Sequence, residues 1–331
     1  MEETDSEKAI QTEGARPHPK ERTARAAGTI GFFVMASRLL GLLREVLFAC
    51  FFGASPIASV FVNAFRVPNL LRDLFAEGAL SMAFVTTFSK KLHQDGEAAA
   101  WRLANMVINA LTLVVGSIVV AGMVFAPQIV AFIAPKFEPG NQALMVILIR
   151  IMFPFLLLVS LAAVWMGMLN SKGVFGLPAS ASAFFNMGEI VFGFGLAWIV
   201  DPSWGMAAVA CVAAGVVVGG LLQWLIQAPR LSRFGFRYQP VLDPYDPGLR
   251  QVLVLMGPAV IATAATQVNI LVNTIFANSI SQVAASQLYY AFRFLQLPIG
   301  LFGVAIGTAI LPNKPIGSRS EEHTSELQSQ F

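Results

Sequence analysis

Arginine side chains occur inside long apolar stretches of this sequence, where a charge is costly. Arg38 and Arg44 lie in the first such stretch, Arg72 in the second and Arg293 in the last. A charged side chain at the centre of a membrane-spanning helix costs about 2.5–3.5 kcal/mol on insertion scales, so such residues usually face a cavity or a partner. The planar guanidinium group suits bidentate contacts with phosphate. These arginines therefore predict a buried cationic pocket for an anionic amphiphile that bears phosphate.

Polar residues also follow one another in the second apolar stretch at spacings of three or four. They are Ser59, Asn63, Arg66, Asn69, Asp73, Glu77 and Ser81. Residues at these spacings share one face of a helix. A polar stripe of this kind would not face lipid, so we expect it to line an internal cavity.

Two arginines have an acid seven residues further along the chain. Arg66 is followed by Asp73, and Arg38 is followed by Glu45. These pairs could close within their own helices, and this purely structural interpretation stays open beside the cavity interpretation. The other three arginines have no acid at such a spacing. Surplus positive charge is therefore expected in a shared cavity.

The elements that must position these side chains follow from the composition. Hydrophobic residues make up 56% of the 331 and charged residues only 12%, whereas soluble domains contain about 25% charged residues. In a bilayer each backbone polar group must be paired within its own segment, which favours helices of about 20 apolar residues. The sequence predicts an all-α polytopic membrane protein with eight spans, at 29–52, 57–88, 101–126, 142–169, 178–200, 205–228, 250–277 and 284–311.

Basic residues are distributed unevenly between the loops. The N-terminal tail and every second loop carry Lys or Arg, while the alternate loops contain only Lys136. Positively charged loops stay in the cytoplasm, so we expect a multi-pass inner-membrane protein with a cytoplasmic N-terminus. The predicted parts are a disordered tail (1–27), a six-helix N-terminal lobe (28–228), a cytoplasmic linker with four prolines (229–249) and the first two helices of a C-terminal lobe (250–312).

A weak internal repeat supports the division into lobes. The pattern Ala-Ser-x4-Ala-Phe-Arg occurs at 58–66 and again at 285–293. The two copies lie at the same depth of the second and eighth spans and have the same orientation. Two parallel repeats of this kind are typical of alternating-access transporters.

Groups for enzymatic or nucleic-acid chemistry are scarce. The histidines lie in the terminal tails (His18, His323) or near a cytoplasmic loop (His93), and the apolar segments hold no paired acids for a metal ion. Acid/base and metal-dependent enzymes need such groups in position. We therefore expect no catalytic residue, metal or cofactor. The basic residues sort by loop and form no single patch, which disfavours nucleic acid as a partner.

Several motifs resemble a known family. The segment 36–45 (ASRLLGLLRE) and the segment 65–81, in which FRVPNLLR leads into FAEGALS, resemble the opening helix and the most diagnostic stretch of the MurJ/MviN family of lipid II flippases. Segments 150–154, 256–259 and 289–308 are also similar to that family, and the resemblance covers 24–312. It implies the two-lobe fold of the multidrug/oligosaccharidyl-lipid/polysaccharide (MOP) exporter superfamily, with fourteen spans in a V-shaped pair of lobes.

The resemblance also implies a transporter and not an enzyme. Its substrate would be lipid II, an undecaprenyl-diphosphate-linked disaccharide-pentapeptide, moved across the inner membrane for peptidoglycan synthesis while its tail stays among the membrane lipids. Cell-wall synthesis proteins are candidate partners, and the sequence does not identify a coupling ion. The implied functional residues are Ser37, Arg38, Arg44, Arg72, Ser286 and Arg293, of which the four arginines would bind the diphosphate. The polar stripe adds Arg66, Asn69 and Glu77 as supporting cavity residues.

This chain departs from the family pattern at two acids. Ser59 and Phe292 stand where the family commonly has an acidic residue, so Glu77 is the acidic candidate that matches the motif. The alternatives are another carrier of the same superfamily (a polysaccharide-precursor flippase or a drug exporter), a membrane-embedded polyprenyl-phosphate enzyme, and a scaffold that transports nothing. A drug exporter for cations should present acids to its cavity, whereas the predicted cavity is rich in arginine.

The C-terminal residues differ from the rest of the sequence. Residues 319–329 (RSEEHTSELQS) resemble the translation of a sequencing-library adapter. We therefore expect 313–331 to be a non-native tail on a fragment that lacks about six spans of the fourteen that the family resemblance implies.

Overall fold

The computed structural model describes residues 19–74 and 79–296, and all regular structure in these residues is helical. The expected all-α fold is confirmed. Glu77 and the C-terminal tail lie outside the described residues. The helices are α1 (Pro19–Phe52), α2 (Pro56–Arg72), α3 (Ala79–Gln94), α4 (Glu97–Val124), α5 (Ala126–Ile133), α6 (Pro139–Ser171), α7 (Gly176–Val200), α8 (Met206–Leu225), α9 (Ala228–Arg233), α10 (Pro247–Ile280) and α11 (284–296).

Five stretches of the described chain are long and apolar enough to cross a membrane. They are α4, α6, α7, α8 together with α9, and α10. The first expected span is helical but carries Arg38, Arg44 and Glu45. The second is represented by α2 and α3, on either side of 75–78, and the eighth extends past the described residues. Helix α1 also includes 19–27, which the sequence assigns to the disordered tail.

Helix α6 is the centre of the bundle. Its Met145, Leu148, Met152 and Leu156 are fully buried and recur at spacings of three or four, as one helix face requires. Helices α2, α3, α4 and α8 all pack against it. Helices α2 and α3 follow successive parts of α6 in the same direction. The ring of Phe65 on α2 lies 5.9 Å from that of Phe155, whereas Phe84 on α3 lies against Gly167.

Helices α7 and α8 are in backbone contact. A Cβ atom placed on Gly215 would lie 2.4 Å from the Cα of Gly193, and one on Gly219 would lie 2.6 Å from the carbonyl oxygen of Phe185. Small residues allow membrane helices to approach this closely. At the same level α7 contains a π-helical turn, Glu189–Phe194. Its first residue, Glu189, is buried and becomes part of the site below.

The segment between α9 and α10, which the sequence predicts to be a linker between lobes, is held against α4. The side-chain amide of Asn105 donates to the carbonyl of Arg237 at 3.1 Å, and its oxygen accepts from the backbone N–H of Gln239 at 3.0 Å. Asn109 donates to the carbonyl of Val241 at 2.8 Å. The chain then enters α10, whose first turn is capped by the carboxylate of Asp246. Residues 237–241 of the linker are therefore bound to α4.

Candidate functional site

A cavity of about 420 Å³ lies between α2, α10 and α11, with contributions from α1 and α7. Four arginines line it, Arg44, Arg66, Arg72 and Arg293, together with the carboxylate of Asp73. The remaining lining residues include amides and aromatic or aliphatic side chains from the same helices. The cavity thus collects arginines from α1, α2 and α11, and their role in substrate binding stays a prediction.

The arginines at one end of the cavity belong to an ionic network that joins α1, α7 and α11. The guanidinium group of Arg44 contacts Glu45 at 2.6 Å and Glu189 at 3.1 Å. Arg293 contacts the same Glu45 oxygen at 3.3 Å. The hydroxyl group of Tyr289 donates to the other Glu45 oxygen at 2.6 Å and accepts from Arg293 at 3.2 Å. Arg44 also lies over the ring of Phe185, 5.7 Å from its centroid.

This network corrects the expectation that Arg44, Arg72 and Arg293 have no acid partner. Arg44 and Arg293 share Glu45, and Arg72 pairs with its neighbour Asp73 at 3.0 Å. The expectation considered only helical spacing, whereas these partners are sequence neighbours or lie on another helix. Among the described residues, four guanidinium groups face three carboxylates around the cavity. Within these residues the surplus of positive charge is smaller than the sequence suggests.

The two predicted intrahelical pairs are not formed. Asp73 accepts hydrogen bonds from Arg72 and from Gln267, and Glu45 is used by the network above. Residues seven apart are separated by about 10 Å along a helix, so donors that lie closer bind these carboxylates instead. In the described parts of the chain Arg66 has neither an ion pair nor a hydrogen bond. It lines the cavity as a cation without a partner among these residues.

The other predicted site residues fall in different places. Asn69 lines the cavity. Arg38 is exposed on α1 and is not among the cavity-lining residues. Ser37 is half-buried beside it, and its carbonyl oxygen accepts from Asn186 at 3.2 Å. Ser286 is fully buried away from the cavity.

Ser286 belongs to a group of four buried polar residues that we call the polar seam: Ser59, Asn63, Asn278 and Ser286. The hydroxyl groups of Ser59 and Ser286 are 3.0 Å apart, and Asn63 and Asn278 exchange two hydrogen bonds of 3.0 and 3.2 Å. The seam joins α2 to the end of α10 and the start of α11. The predicted stripe of α2 therefore has two parts, a seam at its beginning and a cavity wall further on. The two serines of the internal repeat touch each other directly.

The sequence analysis does not include three residues of the site: Glu189, Tyr289 and Gln267. A signal existed for Glu189, since it is the sole charged residue of α7 and an acid within an apolar span is costly. Tyr289 and Gln267 carry no such signal. Within 19–74 and 79–296, no group of three His, Cys, Asp or Glu residues is arranged to hold a metal ion.

Comparisons with known proteins agree with these features. A family model described as "Lipid II flippase MurJ" matches residues 48–329, a range that runs past Pro312, where the motif resemblance ends. A lipid II flippase MurJ from Burkholderia cenocepacia is 37% identical over 295 residues, which cover 87% of this chain and 56% of that protein.

Solved structures give the same fold. One described as "Lipid II flippase MurJ, inward closed conformation" matches with a TM-score of 0.70 and 26% identity, over 85% of this chain and 57% of that one. A crystal structure of MATE in complex with MaD5 matches with a TM-score of 0.62 at 16% identity, over 88% of this chain and 64% of that one, which shows the fold alone. The chain spans little more than half the length of the relatives that it matches.

Proposed function

The chain belongs to the lipid II flippase MurJ family, and on that basis we propose that it forms the first part of a carrier for lipid II. The carrier moves the diphosphate-linked head group from the cytoplasmic to the periplasmic leaflet of the inner membrane. It is a transporter and not an enzyme. Because the matched residues cover only 56% of that relative, we take the arginine cavity described above to be part of a larger substrate chamber.

The observation that carries this proposal is the cluster of four arginines in an apolar bundle. Arg66 offers a guanidinium group with no acid partner among the described residues, while Arg44, Arg72 and Arg293 hold carboxylates that an incoming diphosphate can replace. Arginine binds phosphate oxygens in a bidentate manner. In the proposed cycle the sugar-peptide head group would enter from this cavity, and the polyprenyl tail would remain in the surrounding lipid.

The polar seam supports alternating access. It closes one end of the cavity by joining α2 to α10 and α11, and the phenolic hydroxyl of Tyr290 adds a hydrogen bond of 2.9 Å to the carbonyl of Gly53 at the same end. With a cytoplasmic N-terminus, as the loop charges favour, this closed end is periplasmic. The cavity would then load from the cytoplasm, and release of the head group would require the seam to open.

A complementation experiment tests the function. Residues 1–312 are fused to the remaining helices of the Burkholderia cenocepacia relative and expressed in cells whose own flippase is depleted. The fusion should sustain growth, whereas Arg44→Ala, Arg72→Ala and Arg293→Ala should insert at normal levels and fail to do so. Lys136→Ala, at an exposed loop, is the matched control. If all three cavity variants insert normally, sustain growth and expose lipid II outside, the arginines are structural and the proposal is wrong.

A further inference from the structure

Glu189 is the most deeply buried charge in the described chain. Only 5% of its side chain is exposed, compared with 13% for Arg44 and 14% for Glu45. It lies on α7 at the start of the π-helical turn, a departure from α-helical geometry that often marks functional sites. Helix α8, which packs on this turn, contains no charged residue. Among the described residues, the cation that contacts the Glu189 carboxylate is Arg44 of α1.

The two glutamates that share Arg44 are not equivalent. Glu45 also contacts Arg293 and accepts a hydrogen bond from Tyr289. Glu189 contacts Arg44 and makes no other hydrogen bond or ion pair among the described residues. If Arg44 turned to another anion, Glu45 would keep two partners and Glu189 would keep none. A buried carboxylate without a cation is very unfavourable, and such a group is neutralised by binding a proton.

We propose that Glu189 is the resident counter-anion of Arg44, that a phosphate or diphosphate group entering the cavity displaces it, and that Glu189 then takes up one proton. This proposal rests on the proposed function, because it assumes that the entering anion binds Arg44. The proton comes from water and forms an O–H bond on the carboxyl group, so part of the added negative charge is cancelled where it arises. Ligand entry is thereby coupled to protonation at a residue that the ligand need not touch.

The surroundings of Glu189 provide a route for the proton. A second cavity of about 20 Å³ is lined by Arg44, Glu45, Glu189 and Tyr289 together with apolar side chains. This volume is sufficient for about one water molecule, and the polar groups that such a water needs are present. The small cavity shares Arg44 and Tyr289 with the large one. A proton arriving from the large cavity therefore reaches Glu189 without crossing the apolar contact between α7 and α8.

Binding of a simple prenyl diphosphate tests the proposal. The purified chain in lipid nanodiscs is titrated calorimetrically with farnesyl diphosphate at pH 6–8.5, and Glu189→Gln is compared with the wild type. The amide still accepts a hydrogen bond from Arg44 but carries no charge. We expect the variant to bind about tenfold more tightly at pH 8, the size of one charge-assisted contact. Its affinity should also depend less on pH, because the variant should take up about one proton fewer than the wild type for each ligand bound.

Controls separate this proposal from the proposed function. Glu97→Gln, which alters a loop-side acid paired with Lys172, should keep the wild-type pH dependence. Titration of the wild type at pH 8 in two buffers of different ionisation enthalpy counts proton uptake directly and does not depend on folding of a variant. If Arg44→Ala loses binding, the arginine site stands. The counter-anion role of Glu189 would then be overturned by either of two results: no proton uptake by the wild type on binding, or unchanged or weaker binding by Glu189→Gln. Undiminished binding by Arg44→Ala would remove the site itself.

Discussion

Asn278→Ala should weaken the polar seam more than any other single truncation. Asn278 is 2% exposed and makes three hydrogen bonds, two with Asn63 and one that it donates to the carbonyl of Ile133 at 3.0 Å. Asn63 is fully buried and has no other hydrogen-bond partner among the described residues. The substitution therefore removes three bonds and leaves a buried amide unpaired on α2.

The expected magnitude follows from these bonds. Interhelical hydrogen bonds in membrane proteins contribute about 0.6 kcal/mol each, and an unpaired buried polar group costs about 1–3 kcal/mol. We expect Asn278→Ala to lower the free energy of unfolding by about 3–5 kcal/mol. The coupling between Asn63 and Asn278 should be about 1 kcal/mol, because two of the bonds join them directly.

A double-mutant cycle measures this coupling. Asn63→Ala, Asn278→Ala and the double variant are unfolded by denaturant in mixed micelles and compared with the wild type. Asn273→Ala is the matched control on the same helix, because Asn273 is exposed and bonds only to Asn269. Additive effects of Asn63→Ala and Asn278→Ala, or equal destabilisation by the control, would refute the role assigned to the seam.

Three further predictions concern the ends of the bundle. With the native cysteines replaced, a single cysteine at position 55 should react with an impermeant thiol reagent from the periplasm and one at position 172 should not; the reverse pattern would invert the topology. Asn105→Ala should release the linker, giving faster proteolysis between 234 and 246, and an unchanged cleavage rate would contradict the contact. In the loop before α8 the hydroxyl group of Ser203 and backbone N–H groups lower the pKa of Asp201. Its contribution to stability is present above the usual carboxyl pKa and is lost as pH falls through the lowered value. The melting temperature of Asp201→Asn should therefore lie below that of the wild type at neutral pH and approach it in acid, and a constant difference would exclude the linkage.

Helix positions could be predicted from the sequence because long apolar runs have one stable form in a bilayer. The expected spans 178–200 and 205–228 correspond closely to α7 and to α8 with α9. Clustering of Arg44, Arg72 and Arg293 could also be predicted, since charges in such runs avoid lipid. The predicted topology and the division into lobes stay predictions.

Ion pairing could not be predicted, because it depends on which helices become neighbours. Helical spacing suggested Arg66 with Asp73, but Arg72 is adjacent to Asp73 and pairs with it. Arg44 meets Glu189 from another helix, 145 residues further along the chain. Nothing in the local sequence of either residue indicates that contact. The packing of α1 on α7 creates it.

The backbone contact between α7 and α8 has a mechanical consequence for Glu189. Gly193 and Gly215 leave no side chain between the two helices, so their main chains are in direct contact at this level. Glu189 begins the π-helical turn that packs directly on α8, so its backbone is held by this contact. Arg44 and Arg293, on long side chains of α1 and α11, can swing. In the carrier that we propose, a change of shape would therefore move these cations relative to a carboxyl group held by the α7–α8 contact.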